Sequence, residues 1–139
     1  MASYTDRIIL LDASGRNILA HSNDSIIISS NFTTNGVLTV GQGLVSNLVS
    51  KTADYTITLS DYIVSIGSLT ESITITLPAS PVNGATYIIS DSAGSAANYQ
   101  IKIDGGGHEI AGSSTYNIDV IYESITVVFD ATELIWVII

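Results

Sequence analysis

No cysteine occurs in these 139 residues, so neither a disulfide framework nor a thiolate metal site can support the fold. Packing and hydrogen bonds must hold it instead. Basic residues are nearly as scarce: four Lys and Arg stand against 13 Asp and Glu, for a formal net charge of -9. None of the four falls between Lys51 and Lys102. Nucleic-acid binding relies on clustered Lys and Arg that displace counterions from phosphates, so the composition argues against a DNA or RNA partner. Charged residues of both signs make up 12% of the chain, about half the share of an ordinary soluble domain. Long apolar runs are also missing. The 46% apolar content arrives in short bursts, which exceeds what a disordered tail carries yet never reaches the roughly 20 residues of a membrane span. The N-terminus, MASYTDRIILLDASG, has neither the basic start nor the apolar core of a secretory signal. The expectation is a protein made in a cytoplasm and not exported by the general route.

What the chain does have is Ser, Thr, Asn and Gly around a period of two. In Ser72-Ile73-Thr74-Ile75-Thr76-Leu77 every second residue is apolar and the others carry hydroxyls. Successive side chains of a strand point to opposite faces, so this segment has one dry face and one polar face. Tyr55-Thr56-Ile57-Thr58-Leu59 and Tyr99-Gln100-Ile101-Lys102-Ile103 repeat the pattern. The segments Ser124–Phe129 and Leu134–Ile139 are apolar on both faces and read as central or interface strands. No window carries a helical stripe, and abundant Ile, Val and Thr disfavour helix because branching at Cβ restricts χ1. Turn clusters at Asn83-Gly84, Ser92-Ala93-Gly94-Ser95, Asp104-Gly105-Gly106-Gly107 and Ala111-Gly112-Ser113 cut the chain at short intervals. Pro78 and Pro81 bracket a connection, since neither could donate to a central ladder. The chain is all-β, and a small sandwich or barrel is the expected architecture.

Two regions are expected. Residues 1–50 hold a plausible small hairpin over Ile8–Leu11 and Asn17–Ala20, the burst Ile26-Ile27-Ile28, the turn signal Thr34-Asn35-Gly36 and the segment Val37–Val40. Between these bursts lie too few large residues to build a separate core, so the region is either a mobile arm or is ordered against a partner. Residues 51–139 carry the regular strand pattern.

Chemistry-bearing residues are sparse. His21 and His108 are the only imidazoles. The cluster Asp104-Gly105-Gly106-Gly107-His108-Glu109 offers a His and two carboxylates, but further ligands at metal or general-base spacing are absent nearby, and it reads as a polar loop between strands. Serine and aspartate are frequent, yet none sits in a Gly-x-Ser-x-Gly elbow, and the glycine spacings match no phosphate-binding loop. Asn23-Asp24-Ser25 and Asn31-Phe32-Thr33 fit the glycosylation sequon, which means little without a secretory signal. Asp54, Asp61, Glu71, Asp91, Asp119 and Asp130 read as solubilising charges of exposed edges and turns. Tyr55, Tyr62, Tyr87, Tyr99, Tyr116 and Tyr122 fall in or beside strands; a sugar-binding face is conceivable, and packing or a subunit interface is the plainer reading. No catalytic, cofactor-binding or metal-binding residue is assigned.

From Thr52 onward the order of short elements resembles a module of tailed-bacteriophage structural proteins, found at tail-fibre C-termini and in small decoration proteins. Thr52-Ala53-Asp54-Tyr55-Thr56-Ile57 followed by Asp61-Tyr62-Ile63-Val64 is similar to the module's "T-x-x-Y-T-V … D-Y-V" opening. Thr74-Ile75-Thr76-Leu77-Pro78 matches its "T-V-T-L-P" strand and proline. The stretch Gly84–Gly94 is similar to its "G-x-x-Y-x-I-x-D-x-x-G" strand and turn, and Ile101–Ile103, Ile110–Gly112 and Trp136–Ile138 fill the later places. The resemblance covers residues 52–139. It departs at the last hairpin, where the family often has Asp-Gly and this chain has Asp130-Ala131-Thr132-Glu133.

The resemblance implies a small antiparallel β-domain that assembles as a homotrimer and has no catalytic residues. The N-terminal part resembles fibre sequence more loosely. With only a short region ahead of the module, the chain is expected to be a trimeric capsid decoration (cement) protein on the outer surface of a virion. The alternative is a short tail fibre or fibre tip that recognises the host. The partners implied are sister subunits, the major capsid protein or another virion protein through residues 1–50, and host polysaccharide for the fibre reading; neither nucleic acid nor membrane is among them.

Overall fold

The computed structural model describes Val37 and residues 43–139, and within the chain Gln42–Ile139 forms one compact unit. The expected N-terminal hairpin, the Ile26–Ile28 burst, the Thr34–Gly36 turn and His21 lie outside the described residues. The described chain is all-β, with ten strands and no helix: β1 (Leu48–Lys51), β2 (Tyr55–Thr56), β3 (Ile63–Ile66), β4 (Ile73–Thr76), β5 (Thr86–Asp91), β6 (Ile101–Asp104), β7 (Glu109–Ile110), β8 (Thr115–Ile118), β9 (Ser124–Asp130) and β10 (Ile135–Ile138). They form a six-stranded sheet in the order β1-β3-β5-β9-β10-β7 and a four-stranded sheet in the order β2-β4-β6-β8.

The sandwich-like arrangement agrees with the expectation, but the sheets are mixed rather than antiparallel. β1 pairs parallel with β3, β3 with β5, β2 with β4, β4 with β6, and β7 with β10. Only β5–β9, β9–β10 and β6–β8 are antiparallel. The reason lies in the connections. From β1 to β6 each strand of one sheet is followed by a strand of the other, so the chain winds through three successive coils and returns to each sheet running the same way. Alternation in sequence reports which side of a strand is buried, but says nothing about the direction of its neighbour. After β6 the chain reverses, and the β9–β10 hairpin closes the larger sheet.

Between the sheets, like residues stack on like from coil to coil. Val49, Val64, Ile89 and Ile125 are register partners across the larger sheet. Ile73, Ile101 and Ile118 face them from the smaller one. All of these except Val49 are buried. β-Branched residues fit such a pleated, close-packed surface well. As expected, the doubly apolar segments are interior strands: β9 lies between β5 and β10, and β10 between β9 and β7. The Asp130–Glu133 turn contains no glycine and is closed by a side chain. Asp130 Oδ1 accepts the Thr132 N–H at 2.8 Å, and Leu134 takes the left-handed conformation at φ 57°. Such a backbone costs a Cβ-bearing residue about 1–2 kcal/mol, and the Leu134 side chain is 58% exposed. Leu134→Gly is therefore expected to stabilise the protein by about 0.5–1 kcal/mol after glycine's larger entropy loss, read as a higher denaturation midpoint with unchanged slope.

Candidate functional site

The Asp104–Glu109 cluster is, as expected, a loop between strands, joining β6 to β7 with Gly107 and Glu109 exposed, but its first glycine, Gly105, is buried. Gly105 and Gly106 are needed there: a Cβ on Gly105 would run into the His108 carbonyl oxygen, and one on Gly106, whose φ is +65°, into the Leu77 carbonyl oxygen. The Gly105 carbonyl also accepts the buried Trp136 Nε1–H at 3.2 Å. Asp104 Oδ1 accepts the Gly106 N–H at 2.9 Å. His108 leans edge-on against Phe129 with ring centroids 4.8 Å apart. Its Nδ1 lies 3.2 Å from the Leu134 carbonyl oxygen and its Nε2 3.4 Å from that of Ala79. Both ring nitrogens thus face main-chain acceptors, and the neighbouring carboxylate of Asp104 is engaged elsewhere. Among the described residues, no three His, Asp or Glu side chains gather to hold a metal.

Two aspartates depart from the expectation of exposed, solubilising charge. Asp91 is 1% exposed and Asp61 8%. Asp91 ends β5, where Oδ1 accepts the Ser95 N–H at 2.9 Å and Oδ2 accepts those of Ala96 at 3.0 Å and Tyr122 at 3.2 Å. Burial by itself raises the Asp91 pKa, but the converging N–H groups of Ala96, Ser95, Tyr122 and Ala93 outweigh it and hold the carboxyl below the usual aspartate range. Asp61 accepts the Tyr55 O–H at 2.8 Å, the Thr58 N–H at 2.8 Å and the Thr58 hydroxyl at 2.9 Å. Here too burial pushes upward and is overcome, by these donors and by the nearby Lys51 charge. Lys51 Nζ sits 3.7 Å from the centre of the Tyr55 ring. Bonding to Asp61, together with burial, raises the Tyr55 pKa. The signal for Asp91 was in the sequence: it shares strand parity with Tyr87 and Ile89, the inward residues of β5.

The six tyrosines do not converge on one surface. Tyr87 is buried beside Trp136, with ring centroids 5.8 Å apart. Tyr55 is tied to Asp61, and Tyr116 donates to Glu123 Oε1 at 2.9 Å. The Tyr122 ring covers Gly94, while Val120, Ile121 and Tyr122 together form an exposed apolar turn before β9.

The outer faces of the two sheets differ. On the smaller sheet, register aligns Thr56, Thr76, Asp104 and Thr115, with Thr74, Lys102 and Asn117 alongside, a polar and ionisable surface. On the larger sheet one outward row runs Leu48, Ile63, Ile88 and Thr126. A second runs Ser50, Ser65, Ser90 and Ser124, and a third Thr86, Val128 and Val137. None of these eleven residues is charged. Asp130, Ile135 and Glu109 make the next row, at the rim. A groove of about 520 Å³ adjoins it, lined among others by Val128, Val137 and Ile139. Among the described residues no helix is long and apolar enough to cross a membrane.

No family model matches the chain. No curated protein matches it either. Among solved structures, a chain from one described as a chaperone–substrate complex aligns at 15% identity and a TM-score of 0.39. The alignment covers 70% of this chain and 14% of that one, too slight a likeness to carry fold or function.

Proposed function

We propose that this protein is a bacteriophage virion structural protein, a homotrimeric capsid decoration protein that acts by assembly rather than by catalysis. The observation that carries this reading is the division of labour between the two outer faces: one is polar and ionisable, the other neutral and half apolar. A subunit seated in a lattice needs one surface for water and one for contact. The residues behind the phage-module resemblance support the same reading, because Tyr55, Asp61, Asp91 and Gly94 are spent on bracing the sandwich. Partners on this reading are sister subunits and a capsid protein gripped through residues 1–50. The test is localisation. Labelled protein added to particles lacking it should decorate heads in many copies and raise their heat resistance; labelling confined to the tail tip would overturn the decoration role.

A fibre-tip role is favoured by one specific feature, the exposed turn Val120-Ile121-Tyr122, with Tyr122 66% exposed. Exposed aromatic and aliphatic side chains on a rigid support suit recognition of a surface polysaccharide. On that reading the protein binds host cells and Tyr122→Ala removes the binding.

A further inference from the structure

We infer that the outer face of the six-stranded sheet is where a second copy of this chain packs. The inference rests on the assembly reading above for its choice of partner, and it goes further by naming the surface. Sheets with one face in water ordinarily place polar residues outward, yet Leu48, Ile63, Ile88, Val128 and Val137 all point out from this one. Leu48 is 54% exposed and Val137 37%. The sheet that backs them cannot turn them inward, because the opposite parity is already filled by the buried core.

Charge identifies the occupant. The chain carries a net charge of -9, so two copies repel unless they meet across a surface that contributes none of it. The three outward rows are such a surface: neutral faces turned toward one another around a threefold axis, each meeting part of the same face on its two neighbours, set no like charges together. A basic partner would instead be served by the acidic remainder of the molecule, and this patch offers it no carboxylate inside the rim of Asp130 and Glu109. Serine at every position of the second row allows close approach; the Ser65 hydroxyl is already bonded to that of Ser92 and the Ser124 hydroxyl to the Ile89 carbonyl, which leaves Ser50 and Ser90 to bond across the contact. Eleven positions, each about 4.8 Å across the strands by about 6.7 Å along them, give a flat footprint on the order of 350 Å². That is a little under half of the roughly 800 Å² per partner of a stable interface, and the adjoining groove extends it with Ile139, Asn83 and Thr132 up to the rim at Asp130.

Sedimentation velocity of the full chain and of Ile88→Lys and Val128→Lys, across a concentration series, tests this. The unaltered protein is expected to sediment as an oligomer, and each lysine to weaken self-association more than about thirtyfold, a hot-spot effect. Circular dichroism should show the variants folded, and Thr74→Lys, on the outer face of the other sheet, should leave association unchanged. An oligomer that withstands both lysines would overturn this surface while leaving the assembly reading intact. A monomeric unaltered protein would overturn the self-contact and the homotrimer with it, with head decoration judged separately by localisation. Monomers whose melting temperature falls sharply with either lysine would show that the chain covers this face itself, which also overturns the inference.

Discussion

Replacing Asp91 with alanine is expected to lower the unfolding free energy by about 3–5 kcal/mol, since it strands several buried N–H groups at once. The carboxylate joins the Ser92–Asn98 connection to the turn before β9, through Ser95 and Ala96 on one side and Tyr122 on the other. No small apolar side chain can accept from these donors. Asp91→Asn should cost about half as much: its single oxygen can serve one side, but its NH₂ then meets a donor on the other. The same site predicts an acid limb. Because the folded-state pKa is depressed below the unfolded value, the stabilisation is fully present above the ordinary aspartate range near 4 and is lost as pH falls through the lower folded value. Asp61 contributes with the same sign. Urea denaturation from pH 7 down to about 2.5 should therefore show a midpoint that is flat at first and then falls below about pH 4, with a shallower fall in Asp91→Asn. An Asp91→Ala protein that melts within about 2 °C of the unaltered one would refute the role given to this carboxylate.

Asp91 also shows how far the sequence could be read. Period two placed it on the same side as Tyr87 and Ile89, so the burial of that position was legible; its acidic identity suggested the surface and misled. Strand existence and side were written in the Ile/Thr alternation of segments such as Ile73–Thr76, whose observed pattern alternates between buried and half-buried. Strand direction was not, because β1, β3 and β5 become parallel neighbours only through the connections that carry the chain to the other sheet and back. The same gap hid the neutral face. Leu48, Ser50, Ile63, Ser65, Ile88 and Ser90 lie far apart in sequence, and only the parallel registers Leu48↔Ile63↔Ile88 and Ser50↔Ser65↔Ser90 gather them into rows. The glycines of Asp104–Glu109 were legible as a turn, but not as a place where main chain from Leu77 and a buried indole crowd in.

That indole carries the second large effect. Trp136→Ala is expected to cost about 3–5 kcal/mol, the range for emptying a buried aromatic site. Trp136 is fully buried, lies 5.0 Å from Phe129 and 5.8 Å from Tyr87 between ring centroids, and donates to the Gly105 carbonyl. One side chain thus joins β10, β9, β5 and the glycine loop between β6 and β7. The lost volume has no flexible neighbour to fill it, since the surrounding strands are pinned by their ladders. Trp136→Phe separates packing from polarity: it keeps an aromatic ring but removes one of the two donors to the Gly105 carbonyl, leaving the His108 N–H alone on it, for an expected loss of about 1–2 kcal/mol. Its particular signature should be faster amide exchange at His108, whose N–H bonds to the same Gly105 carbonyl, with β3 and β4 unaffected. Val137→Ala, one residue along and facing outward, should cost less than about 1 kcal/mol in the separated chain. Trp136 is the only tryptophan, so its fluorescence reports the site directly in the unaltered protein, and a red shift should coincide with loss of the strand signal in circular dichroism. A red shift that came clearly earlier would mean that the β9–β10 hairpin opens before the coils unwind, and that Trp136 braces the closing hairpin more than the sandwich as a whole.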